Sequence, residues 1–334
     1  MRALVGTLTK KHYVGTAVAL TAALFVPFFL FLPIEVAAHR PGNVPLLVVN
    51  AGFLAITVAL LSVFALIWVT KKDYVKRQIE AFKKFRHLLF LMIKRDFVTR
   101  YRRSVLGILW SLLNPVLTML IMTMVFSQIF RFEIPNYSFA VYYLSGQFIF
   151  GFFSESTTIA MSSIVGNGAI IKKVYVPKWV FPISKIMSSL VNMFFSFIAF
   201  IVVFIVMGES INWTFLLIPI PIILIFIFSL GVGMLLSSLS VFFRDINHIY
   251  GIGVTLLMFM TPLFYPVSIL PDRVYYLIHL NPLFHYVTYF RDLTLSGTVP
   301  SLWSNIICLG FALAALAIGT FATMSQQDKY ILHI

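Results

Sequence analysis

The chain is almost without cysteine and poor in charge. It has 334 residues and one cysteine, Cys308. That excludes a disulfide within the chain and any cysteine-based metal site. Cys308 lies in an apolar run and reads as a small buried or lipid-facing residue. Charged residues make up 11% of the chain, against about 25% in an average soluble domain. No glycine is followed by lysine, so the Gly-x-x-x-x-Gly-Lys-Ser/Thr loop that cradles ATP phosphates is absent. His-Glu-x-x-His, a Cys/His cluster and a Gly-x-Ser-x-Gly nucleophile elbow are also missing. The 11 acids are scattered, with no two inside one helical turn. A carboxylate pair from a single segment is therefore excluded, while pairs formed between helices stay open. Any thermodynamic work must draw on a partner or an ion gradient.

What fills the chain is apolar surface, 60% of its residues. Runs long enough to cross a bilayer, about 20 residues, fall at 14–34, 46–69, 106–130, 139–163, 184–207, 213–241, 250–268 and 302–324. Pro262 and Pro266 interrupt the seventh. Residues 274–290 are apolar and aromatic but too short and broken to span, which fits a re-entrant or interfacial hairpin. The expected class is all-α: a polytopic membrane protein with about eight spans. The first run could instead be a signal peptide ending near Val36-Ala37-Ala38, but its apolar part is longer than such peptides carry.

Lysine and arginine set the orientation. With both termini in the cytosol, 21 of the 25 basic residues lie inside and only Arg40, Arg131, Arg273 and Arg291 lie outside. The net charge of +14 is spread between apolar spans rather than over a soluble domain. It therefore points to membrane lipids and not to nucleic acid. The densest stretch, Lys71–Arg103, holds 12 of the basic residues against 3 acids. Within it Val75, Ile79, Phe82, Phe85, Leu89 and Met92 recur at three- and four-residue spacing. They form the apolar face of a helix expected to lie in the membrane interface. The chain thus divides into an N-terminal hairpin (1–70), a basic interface helix (71–105) and a six-span core (106–334). Glu155 is the one acid well inside an expected span, on a stripe with Thr158 and Ser162. It either lines a pathway or sits near the membrane surface.

The run Arg95-Asp96-Phe97 through Arg100-Tyr101-Arg102-Arg103-Ser104-Val105-Leu106-Gly107-Ile108-Leu109-Trp110, then Asn114-Pro115, resembles the start of the ABC-2 type polysaccharide-export permeases. Further matches come in the same order as in that family. They are Lys172-Lys173-Val174-Tyr175-Val176-Pro177-Lys178, Phe242-Phe243-Arg244-Asp245-Ile246, Thr261-Pro262-Leu263-Phe264-Tyr265-Pro266, Asn281-Pro282-Leu283 and Tyr289-Phe290-Arg291-Asp292. The resemblance covers about residues 85–334; residues 1–70 are an addition to its six-span plan.

The resemblance implies a homodimer of permeases served by two copies of an ATPase subunit, which would hold the ATP and magnesium; no cofactor is expected in this chain. It implies a substrate of the polyprenyl-diphosphate-linked glycan class and a path between the two permeases. Lys172, Lys173, Val174, Tyr175, Pro177 and Lys178 would contact the ATPase; a plain cytosolic loop is the alternative. Arg95, Arg100, Arg102 and Arg103 would meet a lipid diphosphate or anionic lipid headgroups. Glu155 and the ring-bearing residues Tyr142, Phe148, Phe152, Phe259, Phe264, Tyr265, His285 and Tyr286 would line the path or its outer gate, the other reading of the rings being an interfacial belt or core. Two other functions remain in view. One is export of a different amphiphile by the same machinery; the other is a membrane enzyme acting on lipid-linked sugars, which the short outer loops disfavour.

Overall fold

The computed structural model describes residues 72–101, 106–107, 109–129, 134, 137–327 and 330. The N-terminal hairpin expected over 1–70 lies outside them. The described residues belong to one compact unit within Leu60–Ile334. Among them there are helices and no strands.

The chain enters on α1 (Lys72–Tyr101), the expected basic interface helix, formed as one 30-residue piece. Next come α2 (Leu109–Thr123), which widens into a single π-helical stretch at Met124–Ile129, and α3 (Phe139–Met161). Two short helices come after it, α4 (Ser163–Gly166) and α5 (Gly168–Lys173), then the long α6 (Val180–Val206). A 3-10 turn at Trp213–Leu217 leads into α7 (Pro219–Phe242). The last part holds α8 (Ile246–Met260), α9 (Asp272–His279), α10 (Pro282–Thr294) and α11 (Leu302–Gln326).

Among the described residues, four stretches are both long and apolar enough to cross a bilayer: Leu109–Phe126, Val180–Val206, Trp213–Phe242 and Leu302–Gln326. Helix α3 has the length, 23 residues or about 35 Å at 1.5 Å per residue. It is more polar than these four and is mostly surrounded by protein. The expected span at 250–268 forms differently. Its helix α8 stops after 15 residues, about 22 Å against a hydrocarbon core of about 30 Å. Pro262 is the cause: it has no N–H to continue the ladder and pushes Thr261 out of the helical region, where it is extended at φ −100°, ψ 126°. The broken segment expected at 274–290 is the pair α9 and α10. Pro282 opens α10, where its missing N–H costs nothing, and the Asn281 side chain caps it by accepting from Leu283 N at 3.0 Å.

The tightest contact is between α7 and α11. A Cβ at Gly231 would overlap the backbone of Ala315 and Leu316, and one at Gly319 would overlap the backbone of Gly231. Only glycine lets these helices come so close, as small residues do generally in bilayers. Ser238 donates to Ala322 O at 3.3 Å and Thr323 to Met234 O at 3.2 Å across the same seam. Such bonds contribute about 0.6–2 kcal/mol each in a membrane. Gly251 and Gly253 on α8 face open space instead. Helix α8 has no buried residue, and Ile249, Ile252, Leu256 and Phe259 are exposed along it.

Two apolar clusters form the interior. The larger joins α3, α6, α7 and α10. The smaller gathers Leu89 and Met92 of α1, Ile164, Ile171, Val176 and Trp179 of the α4–α6 region, Met234 and Val241 of α7, and Tyr330. Of the apolar stripe expected on α1, Leu89 and Met92 are buried, Phe85 is half-buried, and Phe82 stacks on Trp179 at a ring-centroid distance of 6.0 Å. The side chains of Val75 and Ile79 lie outside the described residues.

Candidate functional site: a polar cavity and its two arginine anchors

Helix α3 is the backbone of the site. Its residues Leu144, Gln147, Phe148, Gly151, Phe152 and Glu155 recur at the spacing of one helical face. That face meets Trp110, Ser111, Asn114, Pro115 and Thr118 of α2 and Asn192, Met193, Ser196 and Phe200 of α6. The three helices enclose an open-sided cavity of about 530 Å³, with Arg100 of α1 at one end. This lies in the range of small-molecule sites. Pro115 lies inside α2 and has no N–H to give to the helical ladder.

The charge is confined to the Arg100 end. Arg100 Nη1 donates to Glu155 Oε1 at 2.6 Å, and Asn192 Nδ2 donates to the same oxygen at 2.6 Å. Both members of the ion pair are about a third exposed (37% and 34%), so the pair contributes about 1 kcal/mol or less to stability. On the other side of Arg100 lies a second cavity of about 300 Å³, bordered by Asp96, Thr99, Ile159, Lys185 and Ser188. There Lys185 Nζ donates to Asp96 Oδ2 at 2.7 Å and Arg95 Nη2 to Asp96 Oδ1 at 3.2 Å. The side chains of Arg102 and Arg103 fall outside the described residues.

The other end of α3 is anchored by a different arginine. Thr261–Pro266 leaves helical geometry inside the protein, and its carbonyls need partners. Arg291, in the last turn of α10, is buried and supplies them. Its Nη1 donates to Pro262 O at 2.8 Å, its Nη2 to Tyr142 O at 3.0 Å and its Nε to Ser145 Oγ at 3.2 Å. The guanidinium carbon lies 3.6 Å from the centroid of the Tyr142 ring. Tyr142 OH donates to Tyr265 O at 3.0 Å and Pro262 O at 3.3 Å, and Asn281 Nδ2 to Thr261 Oγ1 at 2.9 Å. A Cβ at Gly146 would come within 2.8 Å of Arg291 Nη2 and 2.7 Å of Leu263 Cδ2, so glycine makes the room for this knot.

The expected path residues therefore separate into groups. Phe148, Phe152 and Glu155 line the larger cavity. Tyr142 belongs to the arginine knot. Phe264 is buried against Phe126 and Tyr143, at ring-centroid distances of 5.0 and 5.6 Å. Tyr286 is fully buried and donates to Cys308 O at 2.7 Å. Tyr265 OH donates to Phe259 O at 2.6 Å, and the Phe259 ring is exposed. His285 Nε2 lies 2.7 Å from His279 O, and its ring stacks on Phe311 at 6.0 Å. Sequence reasoning gave no site role to Asn114, Gln147, Asn192 or Arg291, although Asn114 and Arg291 stood within family-like motifs. The signal for Gln147 was present: it lies eight residues before Glu155, on the same helical face.

The segment after α5 is a protruding knuckle. Lys172, Lys173, Val174 and Tyr175 are exposed, Tyr175 to 85%. Pro177 is half-buried and Lys178 is buried, with its Nζ 5.3 Å from the Tyr175 ring centroid. Behind it Trp179 enters the smaller cluster.

The model of the ABC-2 type transporter family matches residues 87–295. The chain belongs to that family, and it is a multi-pass protein of the cell membrane. It is 33% identical over 249 residues to an O-antigen export system permease protein of Klebsiella pneumoniae, covering 73% of this chain and 95% of the relative. A protein of the same description from Myxococcus xanthus is 30% identical over 67% of this chain and 86% of its own length. A polysialic acid transport protein of Escherichia coli is 26% identical over 71% of this chain and 92% of its own.

Proposed function

We propose that this chain is the membrane subunit of an exporter that moves a polyprenyl-diphosphate-linked polysaccharide out of the cell. Two copies would work with two copies of a separate ATPase, which binds the ATP and magnesium. The observation that carries the reading is the one-third identity to O-antigen export permeases over nearly their whole length. Three features of the chain support it. Its sequence has no phosphate-binding loop of its own. It bears an exposed basic knuckle, Lys172–Tyr175, suited to receive a partner's motion. Its main cavity has neutral amides, hydroxyls and aromatic walls with charge at one end, the lining a diphosphate-linked glycan calls for.

In this reading ATP closes the ATPase pair, which pushes on the knuckle. Val176 and Trp179 carry the push into the cluster that also holds Leu89 and Met92 of α1. Helix α1 and the spans then shift together. Arg95 and Arg100 meet the lipid diphosphate at the interface, and the glycan leaves between the two copies.

Reconstitution with the cognate ATPase tests this. Lipid-linked glycan should stimulate ATP hydrolysis; stimulation only by lipids or drugs that carry no sugar would favour export of another amphiphile. Replacing Lys172, Lys173 and Tyr175 together with alanine should leave the chain folded and cut glycan-stimulated hydrolysis at least about tenfold, a loss of about 1.4 kcal/mol of coupling. Unchanged stimulation would remove the knuckle from the mechanism.

A further inference from the structure

The cavity between α2, α3 and α6 is graded along its length. Arg100, Glu155 and Asn192 stand at the end nearer α1. Gln147 stands two helical turns further along, about 12 Å at 1.5 Å per residue. Asn114, Thr118 and Ser196 line the stretch between and around it. Among the described residues, none of the side chains of Asn114, Thr118, Gln147 and Ser196 makes a hydrogen bond. Three hydroxyls of α3 behave differently. Ser145, Ser156 and Thr157 all return their protons to carbonyls of their own helix.

Asn114 and Thr118 are exposed and Gln147 and Ser196 are half-buried, so all four can reach a bound molecule, and four such groups lining one space mark a place for a polar occupant. A charged occupant would need charge beside it, and the only charged residues of the cavity are at the far end. The occupant of this part is therefore neutral and rich in hydroxyls. The walls suit a sugar ring: Trp110 presents a 40% exposed indole on α2, with Phe148 and Phe152 forming the buried apolar floor behind it on α3. Rings offer flat apolar faces to the C–H side of a sugar, while amides bond its hydroxyls.

We propose that this cavity is a sugar-recognition site for the residue next to the lipid diphosphate, with Gln147 and Asn114 as its specificity-determining side chains. The proposal rests on the exporter reading and adds where, and by which groups, the first sugar is read. The diphosphate lies at the Arg100 end, where it competes with Glu155 for the guanidinium. The sugar extends along α3 toward Gln147.

The test measures equilibrium binding to the full-length chain in lipid nanodiscs. The probes are a bare polyprenyl diphosphate and the same lipid carrying one hexose. The wild type should bind the hexose-bearing lipid about five- to tenfold tighter, the worth of about one or two hydrogen bonds. Gln147→Leu and Asn114→Leu should each erase most of that preference while leaving the bare lipid's affinity unchanged, which also shows that the variants are folded. Arg100→Gln should weaken both lipids. Equal binding of the two lipids by the wild type, or a preference that survives both leucine variants, overturns the sugar site alone. Binding of neither lipid overturns the exporter reading and the site together.

Discussion

Two arginines sit at opposite ends of α3 in opposite environments. Arg100 is partly exposed, borders two cavities and is paired with Glu155. Arg291 is buried and has no carboxylate among its partners; three oxygens and the Tyr142 ring hold its charge. The difference is one of exchangeability. A carboxylate in a wet groove can be replaced by another anion at little cost, because solvent screens both states. Losing the guanidinium would leave Pro262 O with only the long bond from Tyr142 OH and take one of two side-chain donors from Tyr142 O, a loss that a buried pocket cannot repair with solvent. One end of α3 is built to exchange partners and the other to stay fixed. The fixed end holds in place the break after α8, where Phe264 and Tyr265 lie.

The sharpest way to break the comparison is Arg291→Met. It should destabilise the protein by about 3–5 kcal/mol, since it removes three hydrogen bonds from a charged donor at about 1.5–3 kcal/mol each, less the burial cost of the charge itself. Poor recovery from the membrane and a lowered unfolding temperature in detergent would show this, and near-normal stability would refute the anchoring role. Gly146→Ala should come next. The added methyl presses on Arg291 Nη2 and Leu263 and should cost about 1–3 kcal/mol as an overpacked site, read from the same unfolding curve. Arg100→Gln should be smallest in stability, about 1 kcal/mol or less, yet should cut glycan-stimulated ATP hydrolysis severely. If it instead lowered stability as much as Arg291→Met, the two ends of α3 would not differ in kind.

Much of the architecture was legible in the chain. The basic stripe of α1, the alternation of apolar runs and the lysine-rich knuckle are local patterns, and local patterns survive folding because the bilayer demands closed helices. The break near Pro262 was legible too, since proline acts on its own neighbourhood. The site was only half legible. Glu155 stood out as the lone acid within an expected span, but its partner Arg100 is 55 residues away. Expected path residues such as Tyr286 and Phe264 turned out to be core, because an aromatic ring has the same sequence signature in a wall as in the interior. Glycines divided in the same way. Gly231 is pressed against α11 while Gly251 faces open space, and nothing near either in the sequence separates them.

By itself the sequence determined that this is a helical membrane protein with its lysines and arginines gathered between apolar runs and no Gly-x-x-x-x-Gly-Lys-Ser/Thr loop. Those are matters of composition and period, and each depends on residues close together in the chain. The tertiary structure alone decided which polar groups share a space. It brought Gln147, Asn114 and Ser196 from three helices onto one cavity, and it set Arg291 against carbonyls of α3 and the turn after α8. In a chain this poor in charge, function rests on a few polar side chains, and their meaning comes from neighbours that only folding supplies.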